Sequence, residues 1–325
     1  MDEQPIKLEK GIFILSLDTE LAWGSHGEEK YMQYYRKERQ VINELLSLFE
    51  KYKIKATWAM VGHLFLDSCR PINGVKHPEI VRPKCGWLKG DWFDVDPISN
   101  IQKANEWYGK DIVYKILNCK ARQEIGCHTF SHVVVDDKDC EPECLDSELK
   151  VCRNLAWQQG VGLKSFVFPK NMVAHLDVLK KNKFLCFRGE NDNWYKNFPA
   201  KLKKAIHVFD NYLMLPTRAV SPEKQEGIWN LAGSYFYVHK DGWAKFLPIS
   251  FRVAKSKSGI KKAVQQKKIF HLWFHPFNIA SSPKKLLAGL EKIFSYVNLW
   301  REKGSLENLT MGETAEYLNS MNHSS

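Results

Sequence analysis

The 325-residue chain has no stretch approaching the ~18 uninterrupted apolar residues that a membrane span requires. Its first apolar run, Gly11 to Leu17, is closed by Asp18 and has no small-residue cleavage site after it, so it reads as a buried strand rather than a secretory leader. Internal repeats, low-complexity linkers, paired Cys/His finger spacings and basic repeats with interleaved aromatics are all missing, which argues against solenoids and nucleic-acid modules. What the chain does have is a 44% hydrophobic, 26% charged composition, enough apolar material for one large core. Lys and Arg number 48 against 37 Asp and Glu, and the resulting +11 favours anionic partners. Without a leader, the eight cysteines are expected as reduced thiols in a cytoplasmic protein. Cys140 and Cys144 in CEPEC have no second Cys or His pair at matching spacing, so they do not predict a zinc knuckle.

The pattern alternates strand and helix. Ile12 to Leu17 reads as a buried strand, Arg36 to Tyr52 carries apolar residues at helical spacing, and KIKATWAMVG is a second buried strand. Ser165 to Phe168, Phe184 to Phe187, Tyr212 to Leu215 and Lys268 to Phe274 are further strand candidates. Asp146 to Gln158, His175 to Lys181 and the amphipathic Pro283 to Trp300 read as helices. Such alternation predicts a parallel sheet or barrel with its site at the carboxyl ends of the strands. Phe65 to Tyr108, rich in Pro, Gly, Trp and Asp, reads as a long loop excursion of the kind that often carries function. Phe246 to Lys268 holds seven cations and no acid, a face for solvent, phosphate or an anionic membrane.

His128 and His132 in EIGCHTFSH are four residues apart after a strand end, a spacing that lets two imidazoles reach one ion from a single helical turn. A third ligand is needed, and Asp18 and Glu20 in SLDTELAWG offer carboxylates where the first strand enters its loop. One carboxylate with two His leaves coordination positions open for water and substrate. His271 and His275 share the same spacing but lie on a strand, where about 13 Å separates positions four apart, so they should not bind one metal. His275, at the strand end, is the catalytic candidate, and His271 is expected as a core residue with its hydrogen bonds met.

SLDTE after an apolar strand, then KATWAMVG, HTFSH, FVFPKN and LWFH in that order, resembles the polysaccharide deacetylase family, the NodB-homology carbohydrate esterases of family four, over residues 12 to 278. The resemblance implies a distorted (β/α) barrel of about seven parallel strands. It also implies a single domain over 10–318, with insertions near 65–108 and 205–265 and tails at 1–9 and 319–325. It further implies a divalent metal, usually zinc, and hydrolysis of acetyl groups on sugars. His128 and His132 match the metal-binding His-(Ser/Thr)-x-x-His motif. Asp18 matches the general base, and Glu20 becomes the third ligand because Thr19 stands where a metal-binding Asp usually is, although the two carboxylates could exchange roles. His275 closes a Leu-x-x-His motif and resembles the general acid. FVFPKN lacks the usual Arg, with Val167 in its place, and Arg188 is the candidate replacement. Lys170, Asn171, Asp192 and Trp194 are candidate substrate contacts, with Trp23 and Trp92 as further sugar-stacking candidates.

The implied substrate is an N- or O-acetylated sugar, expected as a glycan precursor on a lipid phosphate or nucleotide, with peripheral contact at the inner membrane face through Arg252 to Lys268. The alternatives are a hydrolase of another C–N bond, such as a formamido sugar or cyclic ureide, and a carbohydrate-binding relative without catalysis.

Overall fold

The computed structural model describes residues 8–86, 88–136, 138–189 and 217–322, with only the backbone of Trp243 and Asn322. The expected strand Tyr212 to Leu215 and the candidates Asp192 and Trp194 lie outside the described residues.

The sequence alternation becomes a curled, mostly parallel sheet wrapped in helices. The strands are β1 (Gly11–Thr19), β2 (Thr57–Met60), β3 (Glu124–Cys127), β4 (Ser165–Val167), β5 (Cys186–Arg188), β6 (Glu223–Gln225), β7 (Ile228–Asn230), β8 (Tyr235–Phe236), β9 (Ile269–Phe274) and β10 (Leu306–Asn308). Their order is β6-β7-β5-β4-β3-β2-β1-β9-β8, with β10 beside the start of β1 and only β6 antiparallel to its neighbour. The two sides of the sheet are joined by a short piece of chain. Trp229 and Leu231 N–H donate to Leu185 and Phe187 carbonyls at 3.0 and 2.9 Å, while Ser234 and Tyr237 N–H donate to His271 and Trp273 carbonyls at 2.9 Å. Residues 229 to 237 thus bridge from β5 to β9. The stretch expected as an insertion over 205–265 contributes, in its described part, β6, β7 and β8 to the sheet, followed by a helix. Its strands are too short, at two or three residues, to show a hydrophobic period in the sequence.

Every residue of β1 is buried, and its two faces have different destinations. Phe13, Leu15 and Leu17 join the main core beneath the outer helices α1 (Glu29–Tyr52) and α2 (Lys110–Leu117). Ile12 and Ile14 point the other way, into a smaller cluster with Ala59, Val167, Cys186 and Trp229. The period of two puts Ser16 and Asp18 on that same inner face. After α3 (Pro142–Gln158) and α4 (Leu176–Lys181) come α5 (Ile249–Gln266) and α6 (Pro283–Glu302). α6 buries Leu286, Leu290, Ile293, Phe294 and Val297 on its predicted apolar face. The last helix, α7 (Met311–Asn322), sends Met311, Ala315 and Leu318 into the inner cluster. Met311 N–H donates to Thr57 Oγ1 and Gly312 N–H to Glu124 Oε2, at the amino ends of β2 and β3. One end of the sheet is therefore plugged, and polar residues collect at the other.

The basic stretch is α5, and two of its cations face inward. Arg252 is fully buried, with its guanidinium donating to the carbonyls of Val238, Leu247, His239 and Ala244. Lys255 is buried too, its ammonium near the Tyr235 ring. The expected surface of seven cations is reduced accordingly, with Lys261 and Lys267 its exposed members. All eight cysteines are free thiols.

Candidate metal centre and catalytic cleft

A cleft of about 1060 Å³ opens at the carboxyl end of the sheet, lined by Asp18, Glu20, His132, Lys170, Asn171, Trp273 and His275 among others. Size and position suit a small-molecule site. β1 and β3 are separated by β2 rather than adjacent, yet the curl of the sheet brings Glu20 at the end of one to His128 at the end of the other.

Glu20 Oε1 lies 3.2 Å from Nε2 of both His128 and His132, and 3.3 Å from Nε2 of His275. The two histidines do not sit on a helical turn, as their spacing suggested. They flank a loop in which Thr129 and His132 take left-handed backbone angles (φ 57° and 60°), and their rings pack 5.0 Å apart. That loop is held from below by Glu148 of α3, whose buried carboxylate accepts hydrogen bonds from Phe130 N–H (2.5 Å), Ser131 N–H (2.8 Å) and Ser131 Oγ (2.6 Å). Nothing in the sequence marked Glu148, which lies on a helix 18 residues beyond the first of these donors.

The protons at His128 decide what can bind. Its Nδ1 is 2.7 Å from the Val167 carbonyl, which only accepts, so the neutral ring carries its proton on Nδ1 and presents a lone pair at Nε2. That lone pair faces the Glu20 carboxylate, whose pKa stays well below its ordinary value. Burial pushes it up, but His275 and His132 outweigh burial. Burial keeps His132 below its usual pKa despite Glu20, so its ring is neutral near pH 7. A bare imidazole nitrogen of neutral His128 facing an ionised carboxylate is repelled unless a cation lies between them, and His132 Nε2 lies 3.2 Å from the same oxygen. This donor set fits a divalent metal.

Asp18 is not free to join that cluster on equal terms. Arg188 of β5 grips both of its oxygens, Nη1 to Oδ1 at 2.7 Å and Nη2 to Oδ2 at 2.6 Å. Burial would raise the Asp18 pKa, but this bidentate pair, with His275 and His128, holds it below the ordinary range. Arg188 is itself fixed by Asn171 Oδ1 (3.2 Å), Ser16 Oγ (3.0 Å) and the face of Trp273, 4.1 Å away. His275 is one-fifth exposed at the cleft, with Nε2 3.7 Å from Asp18. Its Nδ1 donates to Asn278 Oδ1 at 3.1 Å. Burial lowers its pKa, but Glu20 and Asp18 outweigh burial and raise it to about 9, so the ring is a cation at neutral pH. His271 is a satisfied core residue, bonded to the Leu231 carbonyl and Ser16 Oγ, both at 2.8 Å.

Lys170 lines the cleft in a left-handed turn beside Asn171. Trp23, expected as a sugar platform, lines the cleft but is nearly covered. It is 1% exposed, donates its indole N–H to the Trp107 carbonyl, and packs tilted against His63 and edge-on against Trp107. Trp92 is 4% exposed and donates to Ser131 Oγ at 2.8 Å. Both indoles line the cleft with little of their surface exposed. Trp273, Asn278 and His239 line the cleft and were not singled out in the sequence. The aromatic segment ending at His275 was the available signal for Trp273.

No family model matches the sequence, and no curated protein matches it. Solved structures do. One from Mycobacterium smegmatis, described as a polysaccharide deacetylase, superposes with a TM-score of 0.66 at 11% identity over 99% of this chain and 96% of its own. The fold is that of the polysaccharide deacetylases. A Pseudomonas aeruginosa PAO1 protein with the same description gives a TM-score of 0.56 at 11% identity, covering 94% of this chain and 89% of its own. An allantoinase gives 0.60 at 9% identity over 95% and 90%. At these identities the likeness establishes the barrel, and the chemistry has to be argued from the site.

Proposed function

We propose that the protein is a metal-dependent hydrolase that removes the acetyl group from an N-acetylated sugar. The observation that carries this is the convergence of Glu20, His128 and His132 on one point beside an Arg-clamped Asp18 and a cationic His275. Glu20, His128 and His132 would hold a divalent metal, zinc in our reading. When bound, the metal supplies Lewis acidity to an amide carbonyl and lowers the pKa of water toward ~7. Asp18, ionised by Arg188 and held off the metal by it, takes a proton from the attacking water as the new C–O bond forms. His275 gives its Nε2 proton to the sugar nitrogen as the C–N bond breaks, leaving acetate and a free amine. Asn278 fixes the His275 ring through Nδ1 so that Nε2 faces the cleft. The Arg188 clamp supports Glu20 as ligand and Asp18 as base in the exchange of roles left open by the sequence.

We also read the substrate as an intracellular glycan precursor on an anionic carrier, a lipid phosphate or nucleotide. The +11 charge and the exposed Lys261 of α5 and Lys267 just after it support that reading. Because an allantoinase shares the fold, a cyclic ureide or formamido sugar is the second reading. Metal analysis of wild type and His128→Ala, paired with acetate release from a panel of acetamido sugars, tests the proposal. One His128-dependent metal with acetate released supports it. Metal without acetate, but with turnover of a formamide or ureide, moves the reading to the second. Sugar binding with no His128-dependent metal refutes catalysis.

A further inference from the structure

A second set of ligand-type side chains lies outside the cleft, behind its wall. His63 sits in the turn Gly62–Phe65 that follows β2, and Cys69, His77 and Asp96 come from the loop excursion after it. Asp96 Oδ2 is 2.8 Å from His77 Nε2, 3.2 Å from His63 Nε2 and 3.3 Å from Cys69 Sγ. Donor atoms of all four residues lie within 4.8 Å of one another. His63 is fully buried, Asp96 is 2% exposed and His77 8%.

The proton pattern singles out His63. Its Nδ1 is 3.1 Å from the Trp107 carbonyl, an obligate acceptor, so the proton of the neutral ring is on Nδ1. Nε2 then carries a lone pair, has no hydrogen-bond partner, and aims at Asp96 Oδ2. Asp96 does not need that contact. Oδ1 accepts from Ile98 N–H at 2.9 Å, and Oδ2 faces His77 Nε2. A buried nitrogen lone pair against a carboxylate oxygen is repulsive, and a cation shared by the four groups makes it attractive.

The donor set narrows the cation. Two imidazole nitrogens, a thiolate and a carboxylate oxygen are the ligand types of zinc rather than of magnesium or calcium, which prefer oxygen alone. Zn–N near ~2.0–2.1 Å and Zn–S near ~2.3 Å place tetrahedral ligand atoms about 3.3–3.7 Å apart, so an ion would spread the three contacts to Asp96, at 2.8, 3.2 and 3.3 Å, by up to about an ångström. Four protein ligands leave no open position, so the site is structural. The surroundings have the form of an outer shell: Trp107 orients His63, and the Tyr108 hydroxyl lies 3.0 Å from Cys69 Sγ.

We propose that His63, Cys69, His77 and Asp96 form a structural zinc site, separate from the Glu20–His128–His132 cluster, that pins the loop excursion to the barrel. The excursion carries Trp92, which reaches Ser131 in the loop between His128 and His132, and Phe93, whose ring packs 4.8 Å from His77. The Trp23 ring packs 4.5 Å from His63. The site therefore sets one wall of the cleft without contacting anything bound there.

Cobalt exchange of the full-length protein distinguishes the two clusters, because only a thiolate ligand gives a sulfur-to-cobalt charge-transfer band in the near ultraviolet. The expected result is that wild type shows the band and Cys69→Ser loses both it and one metal per chain. His77→Ala should weaken or lose the band too. His128→Ala and Cys85→Ser should keep it, and His128→Ala keeps it whether or not the deacetylase reading holds. Absence of the band from cobalt-loaded wild type, or its survival in Cys69→Ser, would overturn the proposal.

Discussion

Glu38, on α1, is fully buried and neither carboxyl oxygen has a hydrogen-bond partner. Burial, reinforced by the negative charge of Glu20, raises its pKa to about 8 from an ordinary 4.5. Between these values the folded chain keeps a proton that the unfolded chain releases, so the unfolded state binds fewer protons and stability falls as pH rises. The fall starts near the unfolded value, continues through the folded one and is complete above it. At ~1.36 kcal/mol per tenfold change in proton activity, the gap between 4.5 and about 8 corresponds to about 5 kcal/mol for this one group, an upper figure. Glu38→Gln has no proton to lose. Urea unfolding of wild type and variant at matched pH from 5 to 9 should show the variant gaining on wild type by up to ~1.4 kcal/mol per pH unit, then a plateau above about 8. Any constant cost of burying the amide drops out of the slope. A stability difference that is the same at pH 5 and pH 9 would refute the reasoning, and would mean that Glu38 ionises in the folded chain as it does in water.

Asp18→Asn should leave metal content unchanged while acetate release falls by roughly 10²–10⁴, the usual contribution of a general base. Loss of metal instead would make Asp18 a ligand. Arg188→Lys keeps the charge but not the two-pronged grip, so the Asp18 pKa rises and the acid limb of kcat/KM moves to higher pH. An unmoved limb would show that Arg188 does not control the base. Gly24→Ala would place a Cβ 1.8 Å from Glu20 Oε2, forcing the carboxylate to turn. Metal affinity measured by chelator competition should drop with the far-ultraviolet spectrum unchanged, and wild-type affinity would show that Glu20 does not need this rotamer.

Some of this protein could be read residue by residue. β1, α1, α3 and α6 announced themselves because a buried strand and a one-faced helix leave hydrophobic periods in the chain. The candidates His128, His132, Asp18 and His275 could be picked out because they lie at or just past strand ends, where an apolar run gives way to polar residues. Other parts left no such trace. The short strands β7 and β8 are recognisable only by the hydrogen bonds they make across the barrel. Glu148 looks like any helix carboxylate until its three partners are seen. The His63 cluster draws on four residues spread over 34 positions, with no compact spacing to betray it.

What the sequence determined by itself was therefore local. It set the type of most elements, the inward face of β1, and the chemical kinds present at each strand end, because these depend on periods of two and 3.6 residues that chain order records directly. Which groups meet was decided by the tertiary structure. Arg188 neutralises Asp18, 170 residues away, only because the sheet curls until β5 looks across at β1. Glu20 becomes a ligand candidate, and Asp18 a clamped carboxylate, for the same reason. An ion pair depends on distances of a few ångströms, and those are set by packing the whole barrel.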